Sequence, residues 1–297
     1  MSGGTIYGDW GSTRLRLWRG GLEGERLSGP GIVGLTEPAA QVLAKAIAPW
    51  LAHRPQRIIL CGMAGARGGL HEAPYAECPA DTAAWGRRTV ETVCAGVPVL
   101  IAAGLACRDE NGRSDVMRGE ETQVFGVLRL RPELARGACS IVHPGTHGKW
   151  IRLDEGRIGS FRTFPTGEMF ALLQRSSLAG KPDSAGSGSE DEGFEEGVAL
   201  ARSDTGLLGS LFHTRAGQVR DGRGGTWAAG YLSGLLLGNE VAEMRRVGQL
   251  PERTLLIGEP ALVARYARAL DRFGVAVETA EGDDCVLAGL EMLDADG

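Results

Sequence analysis

Two segments of the chain have the residue types and the order that a phosphate-binding hairpin needs. The first reads IYGDWGSTRLRLW over residues 6–18, and the second reads IVHPGTHGKWIRL over residues 141–153. Each combines a short apolar strand, a turn that contains Gly and Thr, and an alternating strand. Backbone N–H and hydroxyl groups of such a turn can converge on one phosphate. Two such turns that face each other could hold a triphosphate.

Asp9 stands at the end of the first strand, just before the turn. Phosphoryl transfer needs a carboxylate that holds Mg²⁺ and donors that hold the γ-phosphate. We therefore expect Asp9 to bind Mg²⁺ and the two turns to bind the phosphates of a triphosphate. The expected phosphate ligands are Gly11, Ser12, Thr13, Arg14, Gly145, Thr146 and Lys149. The alternatives are an Asx-turn at Asp9 that only caps the hairpin, and a surface role for Lys149.

Two acids, Glu120 and Glu121, follow Gly119 at the start of a helix predicted over 119–130. One of these carboxylates could accept the proton of an attacking hydroxyl. The alternative is that acids favour helix N-termini through the helix dipole, by ~0.3–1 kcal/mol. The residues by themselves favour this second interpretation. Asp115, shortly before the helix, is a third candidate for the base.

Another glycine, Gly258, separates a strand predicted over 254–258 from a helix predicted over 260–272. A glycine there lets a flat nucleotide approach the backbone, and an ordinary strand-to-helix turn is an equal alternative. Ser233, Gly234 and Gly238 form a small-residue helix face that is typical of close helix packing. No GxxxxGK[ST] loop occurs in the sequence and no GxGxxG string follows a predicted strand, so two common nucleotide folds lack support.

The elements that would position these residues follow a pattern that occurs twice. Strands are predicted at 5–9, 13–19, 57–62 and 97–103, and helices near 37–52, 82–95 and 119–130. The pattern restarts with strands at 139–143, 148–153 and 157–163, and continues with helices at 166–175, 192–201, 204–213 and 226–246. A strand at 275–279 and a helix at 284–294 follow the 260–272 helix. This restart and the length of 297 residues predict two domains, 1–138 and 139–297. A stretch rich in Ser, Gly and acids, with its acidic part at 183–192, predicts a surface loop.

The composition is that of an ordinary globular protein. Hydrophobic residues make up 43% and charged residues 23% of the chain, and the net charge is −5. Scattered Lys and Arg residues argue against nucleic acid as the main partner, and no apolar run is long enough to span a bilayer. Six Cys without a CxxC pair, and no signal peptide, lead us to expect a cytoplasmic protein. The oligomeric state stays open, with a homodimer as one option.

Seven strings spread over nearly the whole chain carry a family resemblance. They are DWGST at 9–13, GMAG at 62–65, EAPY at 72–75, MRGEETQ at 117–123, PGTHGKW at 144–150, FRTFPTGE at 161–168 and LSGLLLG at 232–238. In these strings the chain resembles the 2-dehydro-3-deoxygalactonokinases of the actin-like sugar-kinase superfamily. The RGEETQ and PGTHxKW parts are far more specific than the Asp-x-Gly-x-Thr element, which marks only the superfamily.

The resemblance implies an α/β protein with two actin-like (ribonuclease H-like) domains, each a mixed sheet with flanking helices, around a central cleft. The N-terminal domain would carry the substrate side and the C-terminal domain the nucleotide side, with ATP and Mg²⁺ bound between them. The implied reaction moves the γ-phosphate of ATP to the terminal 6-hydroxyl of 2-dehydro-3-deoxy-D-galactonate in galactonate catabolism.

The resemblance also implies roles for individual residues. By analogy with pantothenate kinases of the same superfamily, Glu121, or failing that Glu120, would be the base. The substrate carboxylate needs a cationic clamp, for which Arg67, Arg118 and Arg162 are candidates by charge. Glu72 and Tyr75 could bind sugar hydroxyls. The alternatives are a kinase of 2-keto-3-deoxygluconate or pantothenate, and an actin-like ATPase switch without a metabolic role.

Overall fold

The computed structural model describes residues 4–176, 184–203 and 206–295. The strands of the described chain are β1 (Ile6–Trp10), β2 (Arg14–Arg19), β3 (Glu25–Pro30), β4 (Ile58–Gly62), β5 (Tyr75–Glu77), β6 (Val90–Cys94), β7 (Val97–Ile101), β8 (Gly104–Arg108), β9 (Ser114–Met117), β10 (Ala138–His143), β11 (Gly148–Asp154), β12 (Arg157–Phe164), β13 (Arg253–Gly258) and β14 (Ala276–Glu281). The helices are α1 (Ala39–Leu51), α2 (Thr82–Gly86), α3 (Glu120–Leu130), α4 (Thr166–Gln174), α5 (Glu190–Arg202), α6 (Leu207–Arg220), α7 (Gly225–Arg246), α8 (Pro260–Arg272) and α9 (Gly282–Ala295).

The chain forms two compact units. Unit 1 comprises Met1–Ile141, Trp150–Arg162 and Ala280–Gly297, and unit 2 comprises Val142–Lys149 and Thr163–Thr279. A single boundary at 138/139 describes this division only in part, because the last helix, α9, belongs to unit 1. Helix α9 packs closely on α3, where a Cβ on Gly126 would lie 1.8 Å from the Cys285 carbonyl oxygen.

The main sheet of unit 1 has the strand order β3-β2-β1-β4-β7-β6. Strands β1, β4 and β7 are parallel neighbours, and β2 and β3 extend the sheet as antiparallel strands. All five residues of β4 are buried, in keeping with its continuous apolar run between two parallel neighbours. The register sets Asp9 opposite Arg16 on one side and Cys61 on the other.

The helix predicted over 82–95 is confirmed only over its first five residues and is wrong beyond them. Helix α2 ends at Gly86, and Val90–Cys94 forms the edge strand β6, antiparallel to β7. Ala95 and Gly96, with φ of 49° and 79°, make the two-residue turn between these strands. Turns of this kind match the twist of a hairpin, so the turn favours the strand over a helix. Residues 90–93 alternate between half-buried and exposed, as strand residues do.

A smaller sheet with the order β5-β8-β9 was not among the elements predicted from the sequence. Strand β5 is parallel to β8, and β9 is antiparallel to β8. This sheet positions two of the predicted site segments, since Tyr75 begins β5 and Arg118 follows β9 directly.

The second large sheet has the order β12-β11-β10-β13-β14. This order repeats that of β3-β2-β1-β4-β7 in the first sheet: a three-strand meander, followed by two strands reached later along the chain. The predicted restart of the pattern near residue 139 is thereby confirmed at the level of strand order.

Helices α5 and α7 of unit 2 approach each other through glycines. A Cβ on Gly234 would lie 2.1 Å from the Phe194 carbonyl oxygen, and one on Gly230 would lie 2.0 Å from that of Glu190. Gly197 makes the reciprocal approach to the backbone of Tyr231. The packing interpretation of the small-residue face on α7 is confirmed.

Helix α5 begins inside the segment predicted as an acidic surface loop over 183–192. Ser189 caps the helix by accepting from the Glu192 N–H, and the Glu192 carboxylate accepts from the Ser189 N–H. This capping box starts the helix at Glu190, so the end of the predicted loop is helical. Residue 183 lies outside the described residues. No helix within the described ranges is long and apolar enough to cross a membrane.

Candidate active site

Asp9 lies at the end of β1, where its side chain meets residues from two neighbouring strands. Its Oδ2 accepts a hydrogen bond from Nη2 of Arg16, and the thiol of Cys61 lies 3.7 Å from Oδ1. Asp9 is only 8% exposed. Burial, reinforced by the Asp9 and Glu121 carboxylates, raises the pKa of the Cys61 thiol, so this thiol remains protonated and can donate to Asp9.

Arg16 is a member of the site that sequence reasoning missed in favour of Arg14. In the antiparallel pair of β1 and β2, the residue directly opposite Asp9 is Arg16, two positions after Arg14. Arg16 also pairs through Nη1 with Asp283 of α9, at 2.6 Å. The hairpin register was the signal that could have found it.

The first predicted phosphate turn connects β1 with β2. The Gly11 N–H donates to the Arg14 carbonyl at 2.9 Å, which closes the turn. Gly11 and Ser12 are half-buried, whereas Thr13 and Arg14 are exposed. The turn therefore presents the hydroxyl of Thr13 and the cation of Arg14 to solvent, next to the strand that ends in Asp9.

The two acids of α3 differ in their surroundings. Glu121 is fully buried, its Oε1 and Oε2 accept from the Gly119 N–H at 2.9 and 2.7 Å, and Oε1 also accepts from the Thr122 hydroxyl at 3.1 Å. Burial, followed by the nearby Glu120 carboxylate, raises the pKa of Glu121 to about 8. Glu120 is half-buried, and its Oε2 accepts from the Arg118 N–H at 3.0 Å.

A contact between two glycines brings α3 close to Asp9. A Cβ on Gly119 would lie 3.2 Å from Cα of Gly62, and a Cβ on Gly62 would lie 3.0 Å from Oδ1 of Asp9. Gly62 and Gly119 have φ of 73° and 111°, which favour glycine. Asp9, Gly62, Gly119 and Glu121 therefore form one continuous group within unit 1.

The predicted substrate-binding residues lie in unit 1, but in different environments. Nη2 of Arg118 donates to the Ala73 carbonyl at 2.7 Å, and Cζ lies 4.3 Å from the ring centroid of Tyr75. Arg67 and Glu72 are exposed, and Arg162 near the end of β12 is half-buried. The structure thus brings Arg118 and Tyr75 into contact. Asp115 lies in β9, where its Oδ1 accepts from the Val116 N–H at 2.8 Å.

The second predicted phosphate turn, in unit 2, packs against the start of α4. The Glu168 N–H donates to the Thr146 carbonyl at 2.9 Å. A Cβ on Gly167 would lie 2.4 Å from the Gly145 carbonyl oxygen, so only glycine permits this approach. Thr146 is exposed at the turn, whereas Lys149 on β11 is 4% exposed.

The buried carboxylate of Glu240 accepts two hydrogen bonds beside this second turn. Oε2 of Glu240, on α7, accepts from the hydroxyl of Thr166 and, at 3.0 Å, from the hydroxyl of Tyr266. A Cβ on Gly148 would lie 2.8 Å from the Tyr266 hydroxyl oxygen. Burial, followed by the charge of Glu240, raises the pKa of the Tyr266 phenol, which keeps this donor protonated. Glu240 was not predicted from the sequence, because nothing local marks it as buried.

Unit 2 contains a cavity of about 550 Å³ beside the second turn. Its volume is within the range of small-molecule sites. Its lining includes Gly145, Thr166, Phe170, Gln174, Thr226, Ala229, Ser233, Leu236, Leu262 and Arg265. On one wall Arg265 pairs with Glu190 and donates to the Ser233 hydroxyl at 3.0 Å. Gly258, with φ 159°, packs against Pro144 and leads into α8, which forms that wall.

The sequence interpretation pointed to this region through Gly145, which lines the cavity, and Gly258, and it interpreted the small residues of α7 as helix packing. Most of the lining comes from α4, α7 and α8, where apolar residues at helical spacing look the same whether they face a cavity or a core. The sequence signal that could have indicated a cavity was the combination of two small residues, Ala229 and Ser233, with Leu236 on one face of α7.

The residues around Asp9 fit a Mg²⁺ ion that is held mainly by phosphates. No group of three or more His, Cys, Asp or Glu that could hold a metal occurs among the described residues. Mg²⁺ in phosphoryl-transfer sites uses one or two carboxylates, waters and substrate phosphates rather than a cage of protein ligands. The Gly62 backbone leaves space at Oδ1 of Asp9 that a Cβ would fill. A single carboxylate is therefore a suitable donor set.

The comparisons with known proteins agree with this chemistry. The model of the 2-keto-3-deoxy-galactonokinase family matches residues 9–293. The chain belongs to this family. It is 36% identical over 296 residues to "Probable 2-dehydro-3-deoxygalactonokinase DgoK1" of Rhizobium meliloti (strain 1021), covering 95% of this chain and 94% of that protein. It is 34% identical over 294 residues to the 2-dehydro-3-deoxygalactonokinase of Escherichia coli (strain K12), covering 96% and 95%.

The family also has a solved structure that matches. The structure "Crystal structure of a putative 2-dehydro-3-deoxygalactonokinase protein from Sinorhizobium meliloti" superposes with a TM-score of 0.85 at 32% identity, covering 98% of this chain and 96% of that one. The predicted α/β class with mixed sheets and the actin-like fold is confirmed. The family resemblance predicted from the seven strings is confirmed as well.

Proposed function

We propose that this family member transfers the γ-phosphoryl group of ATP to the 6-hydroxyl of 2-dehydro-3-deoxygalactonate, in galactonate catabolism. The observation that carries the proposal is the family match over residues 9–293, together with the two relatives named for this kinase. The chemistry is a phosphotransfer to an alcohol, in which the sugar-acid oxygen bonds to the γ-phosphorus as the bond to the β-phosphate oxygen breaks.

Unit 2 supplies a suitable place for the nucleotide. The cavity of about 550 Å³ combines apolar walls with a few polar groups, as nucleoside sites do. Gly145 and Thr166 belong to both the cavity lining and the surroundings of the second turn, so a nucleoside in the cavity would direct its phosphates toward this turn. The hydroxyl of Thr146 would then bind phosphate, together with the N–H groups of Thr166 and Gly167 at the start of α4, because the Glu168 N–H already donates to the Thr146 carbonyl. Lys149 is buried on β11, next to the turn, and would contribute positive charge near the phosphates.

Unit 1 supplies the groups for the metal and the acceptor. Asp9 would hold Mg²⁺, directly or through water, with Ser12, Thr13 and Arg14 as further phosphate ligands. Bound Mg²⁺ would neutralise charge on the β- and γ-phosphates. Arg16 fixes the orientation of the Asp9 carboxylate through Oδ2 and leaves Oδ1 with the weaker thiol contact.

Glu121 is the residue that we propose as the general base. A base is most efficient when its pKa is near the working pH, and burial places that of Glu121 at about 8. The proton of the attacking 6-hydroxyl would pass to an Oε atom of Glu121. Glu120 is the second candidate, since it lies on the same turn and is less buried.

The test is ADP release from ATP and Mg²⁺ with 2-dehydro-3-deoxygalactonate as the acceptor. The gluconate epimer, pantothenate and a reaction without acceptor run in parallel. Strong turnover that requires the galactonate compound supports both the reaction and the substrate. Turnover with another acceptor alone would retain the kinase and replace the substrate. ADP release that no acceptor changes would favour an ATPase switch and contradict the proposal.

The base is tested by Glu121→Gln and Glu120→Gln at matched folding stability. The true base should lose about 10²–10⁴-fold in kcat. Mild and equal losses in both variants would contradict the assignment and direct attention to Asp115.

A further inference from the structure

Arg118 has hydrogen-bonding capacity that the described chain does not use. Its Nη2 donates to the Ala73 carbonyl at 2.7 Å. Its Nε and Nη1 are buried and have no hydrogen-bond partner among the described residues. Native proteins rarely leave buried donors without an acceptor, least of all on a charged group. The guanidinium is therefore prepared for an acceptor from outside the chain.

The position of this guanidinium is fixed before any acceptor arrives. The ring of Tyr75 stacks on it, with 4.3 Å between Cζ and the ring centroid. On another side it touches the backbone of Gly65, where a Cβ would lie 2.7 Å from Nη1. A rigid, planar cation is the group that proteins use to recognise carboxylates.

Arg118 is also close to the residues that we assign to chemistry. It precedes Gly119, whose N–H donates to Glu121 and which packs on Gly62 beside Asp9. Gly65, the glycine that touches Arg118, ends the single 3-10 turn at residues 63–65, which follows Gly62 directly. Arg118 and the group around Asp9 therefore contact the same short segment, residues 62–65.

The two other arginines predicted for this role are in different situations. Arg67 is exposed, so solvent weakens its attraction for an anion. Arg162 already interacts within the described chain. Arg118 alone among the three combines buried, unpartnered nitrogens with a fixed position.

We propose that Arg118 binds the C1 carboxylate of the sugar-acid substrate and thereby selects acids over uncharged sugars. The inference rests on the proposed function and names the group that recognises the acid. Tyr75, which is 38% exposed, stacks on the face of this guanidinium. Because Nε and Nη1 are buried, the carboxylate reaches them only when the residues around them shift.

The experiment compares 2-dehydro-3-deoxygalactonate with its methyl ester, which lacks the negative charge. The wild-type chain should prefer the acid by about 10- to 150-fold in kcat/KM, the worth of one hydrogen bond to a charged group. Arg118→Gln should lose this factor on the acid, leave the ester unchanged and retain the KM for ATP. Arg118→Lys should recover part of the preference. Arg113→Gln removes an exposed arginine of the same unit, paired with Asp109, and should change nothing.

Each outcome separates the inference from the proposed function. Acid turnover with an unaltered acid-to-ester ratio in Arg118→Gln would overturn the carboxylate subsite and leave the kinase intact. A wild-type chain that uses acid and ester equally would overturn it without any variant, which covers the case in which Arg118→Gln does not fold. A wild-type chain that phosphorylates neither compound would overturn both proposals.

Discussion

Replacement of Glu121 by Gln should remove a pH-dependent loss of stability. Glu121 is fully buried beside Glu120, and burial raises its pKa from an ordinary 4.5 to about 8. Between these two pH values the folded chain keeps a proton on Glu121 that the unfolded chain releases. The free energy of unfolding therefore falls as pH rises through this window, and it changes no further above about pH 8. Gln carries no titratable proton, so the variant lacks this contribution.

The magnitude follows from the difference in pKa. A difference of roughly 3.5 pH units corresponds to about 5 kcal/mol over the full window, at 1.36 kcal/mol per unit. Between pH 5.5 and 8 the wild-type chain should lose about 3 kcal/mol of unfolding free energy relative to Glu121→Gln. The loss is a large fraction of the total stability of an ordinary domain, which is roughly 5–15 kcal/mol.

Urea unfolding at pH 5.5, 6.5, 7.5 and 8.5 measures this difference. Tryptophan fluorescence reports mainly on unit 1, because five of the six tryptophans, at positions 10, 18, 50, 85 and 150, belong to it. Glu133→Gln, at an exposed position, is the control and should follow the wild-type curve. Parallel curves for wild type and Glu121→Gln would refute the raised pKa. For catalysis the sign is opposite: the base must be ionised, so kcat/KM should rise with pH and level off above about 8.

Three further predictions concern the metal, the helix packing and the nucleotide cavity. Asp9→Asn should lower Mg²⁺-dependent turnover by at least about 100-fold. Asp109→Asn, in an exposed loop, is the control and should not lower it. Substantial turnover in Asp9→Asn would contradict the metal role of Asp9. Gly234→Ala should cost about 1–3 kcal/mol, because the new Cβ would lie 2.1 Å from a backbone oxygen of α5. Gly209→Ala meets nothing within 4 Å and should be neutral or stabilising by roughly 0.5–1 kcal/mol in thermal melts; a similar loss in both would contradict the packing argument. Ala229→Phe should fill the cavity and weaken ATP binding at least about 10-fold in calorimetry, while binding of the sugar acid stays unchanged. Equal weakening of both ligands would argue against a nucleotide in this cavity.

Local sequence signals predicted many of the elements closely. The helix expected over 260–272 runs from Pro260 to Arg272, because Glu259 caps it and Pro260 suits its first position. The hairpin of β1 and β2 and the restart near residue 139 follow from alternation and turn residues in the same way. The prediction failed at residues 90–94, which were expected to be helical. They form a strand because the turn at Ala95 and Gly96 pairs them with β7.

The sequence by itself determined the family, the positions of the two Gly- and Thr-containing turns that we propose for phosphate, and the acids that open α3, since each is a short string whose chemistry depends on neighbours along the chain. The tertiary structure decided which of these groups have partners. Arg16 meets Asp9 through the register of two strands, and Arg118 meets Tyr75 through a sheet that local patterns did not reveal. Burial likewise changes the pKa of Glu121, and burial depends on residues distant in sequence, such as those of α9. Spacing along the chain specifies the side chains of a site, whereas packing across the chain sets their charge, their partners and the space beside them.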